Sequence, residues 1–206
     1  MNGFDSKLVI CGDYRHPRQM LNDQTYDGHV SIHDDKMAED LGFSGAPIEG
    51  PTHFSQFVPL LAEVFGQPWF ETGCISSHYL NMVVEGEEVR AFVERPVEGA
   101  LITRIWAEKR DGTPVLSGTA SVGSGDELSE LDQRRAKLKA SDQLVILSEL
   151  SVGMKGKKDE LVSMGFDQNM GDLYPFSLND KLRGITELSS WYTAEGGSGS
   201  PWGRAI

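Results

Sequence analysis

The residues best suited to moving protons in this 206-residue chain gather between Asp27 and His53. Three of the five histidines (His29, His33 and His53) fall in this window, beside the carboxylates of Asp27 and Glu49. An imidazole whose unperturbed pKa lies near neutrality is a natural general acid or base, and a nearby carboxylate orients it. His29 and His33 are four apart, but the intervening Glu of a zinc-protease helix is absent and the segment Tyr26 to His33 reads as extended, so no metal is expected. Gly42 to Ala46, GFSGA, lacks the last glycine and the preceding strand of a nucleophile elbow. Gly197 to Gly203, GSGSPWG, has no following helix to make it a dinucleotide-binding turn. In IEGPTHF, Gly50 lets backbone approach a ligand closely, and the unpaired N–H groups of Gly50, Thr52 and His53 can polarise a bound oxygen. Pro51 contributes no N–H, and the first helical position tolerates it.

Those residues need positioning. Asp34 can cap a short helix that Gly42 ends in a left-handed conformation. From Pro51 a longer helix follows. Phe54, Phe57, Val58, Leu61, Val64 and Phe65 recur at helical spacing, Leu60 widens the stripe, and Gly66 and Pro68 stop it. Pro59 inside this run predicts a kink. An apolar surface this broad must be wrapped on most sides. The wrapping material follows, because beyond Pro68 the period changes from 3.6 to 2. Strands are expected over residues 70–84, 89–95, 100–109 and 114–123, with turns at Glu85-Gly86-Glu87 and Asp111-Gly112, the latter a strong hairpin signal. Leu8 to Ile10 adds a short strand. A buried helix followed by antiparallel strands predicts an α+β fold in which a curled sheet sheathes the helix.

Composition narrows the partners. A formal charge of −12 disfavours nucleic acid or an anionic membrane as the main partner, since phosphate binding needs basic surface. Two cysteines, Cys11 and Cys74, make neither a disulfide framework nor a zinc cluster. No apolar run approaches a membrane span or a secretory h-region, which makes a cytoplasmic setting the default expectation. The first unit is expected to span residues 1–123, with Gly123-Ser124-Gly125 as the boundary. Residues 124–206 form a C-terminal extension: an exposed helix carrying Leu128, Leu131 and Leu138, then a Gly/Ser-rich stretch. Its final SGSPWG echoes the FSGAPIEG that introduces the long helix. Chance similarity and the start of a second, truncated repeat both fit.

This order of elements, with this particular lead into the helix, resembles the hotdog fold, and more narrowly the MaoC-like hydratase and dehydratase family. The family pattern of His, Asp, Ala, Gly-Phe, Pro-Ile and Gly falls here on His33, Asp34, Ala38, Gly42-Phe43, Pro47-Ile48 and Gly50. A second signature is echoed in MVVEGEEV by Val83, Gly86, Glu87 and Val89, with Met82 replacing a proline. Together they cover roughly residues 26–123. The resemblance implies action on acyl groups carried as thioesters of coenzyme A or acyl carrier protein, with no further cofactor. It places Pro47, Ile48, Gly50, Thr52 and His53 around the substrate and His33 at the proton-transfer step. It also implies a homodimer, or pairing with a second hotdog domain. The chain departs from the family at the Asp expected five residues before His33, where Gly28 stands. Asp27 is one residue further away, and Glu49 replaces a histidine before the helix glycine. Either carboxylate is a stand-in, or a turn former and a solvated loop residue respectively. The alternatives are therefore a hotdog thioesterase in which a carboxylate activates water, and a non-catalytic acyl-binding or bracing subunit. Arg90, Arg95, Lys109 and Arg110 suit either coenzyme A phosphates or ordinary charged strand ends.

Overall fold

The computed structural model describes residues 8–18, 35–139, 148–156, 163–169, 177 and 179–180. Asp27, Gly28, His33, Asp34 and the SGSPWG echo lie outside these residues. The described part is built on one five-stranded antiparallel sheet: β1 (Val9–Cys11), β2 (Cys74–Tyr79), β3 (Val89–Glu94), β4 (Ile102–Lys109) and β5 (Pro114–Ser121), in the order β1-β3-β4-β5-β2. Strict alternation in β3, β4 and β5 gives the sheet an apolar face. Val93 lies opposite Ile105 and Ala91 opposite Ala107, while Ile105 faces Gly118 and Ala107 faces Leu116. All but the glycine belong to the buried core. Because successive side chains alternate between faces, this row leaves Arg104, Trp106, Phe92 and Arg90 on the opposite side. The β4–β5 hairpin turns at Gly112, whose φ of 86° needs glycine, and Asp111 accepts from the Thr113 amide at 2.9 Å.

Against the apolar face lies the helical stretch, giving the hotdog arrangement of an antiparallel sheet packed on helices. Phe57, Leu60 and Leu61 pack into one cluster with Val89, Ala91, Val93, Ile105 and Leu116, and Val64 and Phe65 flank it. Phe57 and Leu61 are fully buried, each contributing about 1.5–3 kcal/mol by the usual area scaling.

Three expectations are corrected. The central rod is two helices, α2 (Gly50–Phe54) and α3 (Val58–Phe65), separated by a turn at 55–57, and not one kinked helix. Pro59 explains this: it lies in the first turn of α3, where a missing N–H is harmless, so the break falls before the proline. Residues 70–72, expected to open a strand, belong to a short helix α4 (Gln67–Thr72). The strand begins only at Cys74. Finally, β2 pairs with β5 across the sheet and has no ladder with β3. The Glu85–Glu87 turn therefore does not close a hairpin; Gly86 there has φ 91°. A short helix α1 (Asp35–Asp40) precedes the rod and stops where Gly42 takes φ 86°.

Past the Gly123 region, helix α5 (Glu130–Arg135) lies on the outer face of the sheet. Its first amides are satisfied by sheet hydroxyls: Thr119 Oγ1 accepts from Glu130 N at 3.0 Å and Ser76 Oγ from Leu131 N at 2.7 Å. Ser129 caps it, accepting from Asp132 N. Leu128, Leu131 and Leu138 remain exposed. Among the described residues no helix is long and apolar enough to cross a membrane.

Candidate functional site

The segment leading into α2 is held against the residues after β2. Ile48 N donates to Val83 O at 2.7 Å, and Pro47 and Val84 form an isolated antiparallel bridge. Upstream, Asp35 Oδ1 accepts from the Ala46 amide at 3.0 Å, which fixes the approach. On the other side Leu80 N donates to Val115 O at 2.8 Å, and Asn81 Nδ2 donates to Pro114 O at 2.8 Å. Two chain segments are thus pinned side by side. Between them opens a cavity of about 330 Å³, lined by Pro47, Ile48, Gly50, His53, Tyr79 and the stretch from Leu80 to Val83.

Tyr79, the last residue of β2, forms one wall of this cavity. Its ring lies 6.2 Å from that of Phe54 in a near-parallel stack, and 6.5 Å from the imidazole of His53. It leans over the first residue of α2 so closely that a Cβ on Gly50 would sit 2.6 Å from the phenol oxygen. Here glycine is required by close approach and not by backbone angle, since its φ is not positive. Burial pushes the Tyr79 hydroxyl up to about 12.

His53 is 2% exposed, and its Nδ1 has no hydrogen-bond partner. Burial lowers its pKa from 6.5 to about 4, so the ring is neutral at physiological pH. Thr52 Oγ1 and Gln56 Oε1, in the same turn, are also buried without a partner. Leaving such groups unpaired costs about 1–3 kcal/mol each.

Of the residues expected around a substrate, Pro47, Ile48, Gly50 and His53 come together at this cavity. Thr52 is buried beside it, and its backbone differs from expectation: the Thr52 amide donates to Glu49 O at 3.0 Å and is not a free donor. The turn that starts α2 consumes it. Nor does α2, at five residues, supply the dipole of a long helix. Glu49 sits at the N-cap without a side-chain capping bond, outside the cavity lining. His33 and Asp27 lie outside the described residues. Tyr79, Leu80, Asn81 and Met82 were not anticipated. The soft alternation of residues 70–84 concealed where the strand ends, and with it which side chain reaches over Gly50.

Other polar groups are engaged elsewhere. Arg95 pairs with Glu63, Arg110 with Glu88, and Lys109 Nζ with Glu87 at 2.8 Å. Arg90 lies over the Tyr14 ring at 4.0 Å. No cluster of three or more His, Cys, Asp or Glu able to hold a metal occurs among the described residues.

No protein-family profile matches the chain, and no curated protein sequence does. Among solved structures, the chain is similar to an (R)-hydratase from A. caviae involved in PHA biosynthesis, at 16% identity and a TM-score of 0.40, over 60% of this chain and 100% of that one. It is also similar to the R-hydratase PhaJ1 from Pseudomonas aeruginosa, at 14% identity and a TM-score of 0.43, over 68% and 90% of the two chains. A thioesterase superfamily member from Thermus thermophilus shows 13% identity and a TM-score of 0.35, over 66% and 96%.

Proposed function

We propose that this chain acts on acyl thioesters, as a hydratase or dehydratase of the MaoC type. The observation that carries the proposal is the cavity beside Gly50. Its volume of about 330 Å³ suits a small acyl group, and its walls are mainly apolar with a few polar side chains among them. In this reading an acyl chain lies between Ile48 and Met82 with its thioester carbonyl toward the start of α2. Hydration then needs a base to take a proton from water as its oxygen bonds to the β-carbon, and an acid to deliver a proton to the α-carbon. We assign the base to His33, with Asp27 or Glu49 supplying the carboxylate. His53 is a poor candidate for that step, because a ring held near pKa 4 accepts protons weakly.

The substitution of Gly28 for the family's Asp favours a second reading, a hotdog subunit that binds acyl thioesters without turning them over. One pair of assays separates the readings. Crotonyl-coenzyme A is offered to the full chain, and loss of the enoyl absorbance is followed beside release of free thiol. Hydration that disappears in His33→Ala supports the hydratase. Thiol release supports a thioesterase, and binding without either reaction supports the second reading.

We further propose pairing with another hotdog domain through β2. This strand is six residues long and stands at the edge of the sheet, where unpaired N–H and C=O groups invite a partner. Light scattering is expected to give a dimer mass.

A further inference from the structure

The His53 side chain does not take part in the proton transfers assigned above, yet it is the most deeply buried polar group at the cavity. It is 98% removed from solvent, its buried Nδ1 has no partner, and the residue lines the cavity. A packing histidine normally finds a backbone or side-chain partner, because burying an imidazole nitrogen unpaired costs stability. Apart from Tyr79 and Asn81, whose Nδ2 donates to Pro114 O, the remaining walls are apolar, and no lining residue carries a charged side chain. Across from His53 stands the Tyr79 phenol, 6.5 Å away centroid to centroid.

We infer that the His53 imidazole contacts the ligand directly, hydrogen-bonding an uncharged carbonyl or hydroxyl oxygen within a cavity that turns carboxylates away. The inference rests on the acyl-thioester reading for the identity of the natural ligand, and on the cavity's geometry for the chemistry of the contact. A neutral imidazole offers one donor and one acceptor, which matches a carbonyl or a hydroxyl. A carboxylate entering an apolar cavity with no cation would lose hydration without compensation. The low pKa of His53 agrees with this, since the same desolvation that keeps the ring neutral also penalises a charged ligand.

The test uses the full chain with ¹⁵N-labelled histidine at pH 7 and three probes: butyramide, butyrate and crotonyl-coenzyme A. His53 signals are assigned from their loss in His53→Leu. Butyramide is expected to move the His53 ring resonances at millimolar concentration and butyrate to leave them in place. Equal responses to the two, or no response to either, overturn the inference. His53→Leu is also expected to weaken crotonyl-coenzyme A binding by about tenfold while raising the apo Tm by about 2–4 °C, because it removes an unpaired buried group. His53→Gln, which keeps a donor and an acceptor, is expected to restore most of the binding. Should His53→Leu fail to fold, His53→Gln and the probe shifts still decide. Crotonyl-coenzyme A bound equally by wild type and His53→Leu refutes the contact and leaves the acyl-thioester reading standing. Selective butyramide shifts with no binding of crotonyl-coenzyme A do the reverse.

Discussion

Gly50→Ala tests the architecture of the cavity with one methyl group. Gly50 has no positive φ, so alanine is tolerated by the backbone. The added Cβ would meet Tyr79 Cζ and Oη at 2.6 Å, well inside contact distance. These atoms are the far end of a side chain that is 48% exposed, and the ring can swing outward. Doing so forfeits its stack on Phe54, worth about 0.5–1.5 kcal/mol. Replacing glycine in a helix returns about 0.5–1 kcal/mol. The net change in stability is therefore expected within about 1 kcal/mol of zero. In a Tyr79→Ala background the obstacle is gone, and Gly50→Ala should stabilise by about 0.5–1 kcal/mol. The two substitutions are thus coupled by about 0.5–1.5 kcal/mol, readable from four urea denaturation curves with unchanged m-values. Binding of crotonyl-coenzyme A should fall in Gly50→Ala, since the displaced ring no longer walls the cavity. A loss of more than about 3 kcal/mol, or the same effect in both backgrounds, would refute the packing described here.

Gly118→Ala should be far more damaging, because its Cβ would lie 2.1 Å from the backbone oxygen of Ser76, which cannot move without shifting β2; a loss of about 3 kcal/mol is expected in thermal or urea unfolding. Thr52→Val removes a buried hydroxyl without a partner and keeps the shape, so a gain of about 1 kcal/mol is expected from the same curves. The folded-state pKa of His53 is lowered to about 4 from 6.5, so the unfolded chain binds the extra proton first as pH falls. Stability should therefore decline from about pH 6.5 downward, by about 3 kcal/mol once pH passes below 4, and His53→Leu should flatten that part of the profile.

Much of the fold was legible because it rests on periodicity. The alternation Val89, Ala91, Val93 marked β3, and the Asp111-Gly112 turn marked the β4–β5 hairpin, without any knowledge of the sheet. The apolar stripe from Phe54 to Phe65 marked the element that the sheet covers. What the pattern did not carry was strand order: nothing local in Cys74 to Tyr79 says that it pairs with β5, a non-local choice made by the whole core. Helix continuity failed at Phe57 for a related reason. Its side chain fits a helical stripe, but the proline two residues later favours a fresh helix start over a kink. At the site, Pro47, Ile48, Gly50 and His53 were legible from their place at a helix start. Tyr79 was not, because its role comes from reaching across to Gly50, 29 positions earlier in the chain.

The central claim is that an acyl thioester seats its acyl group in the cavity beside the start of α2. A crystal structure of the full chain with butyryl-coenzyme A, a saturated ligand that cannot be hydrated, tests it most directly. The account predicts the acyl chain between Ile48 and Met82, its carbonyl oxygen within hydrogen-bond distance of His53, and Tyr79 packed over it. An empty cavity with the thioester bound elsewhere, or no binding at all, would contradict it.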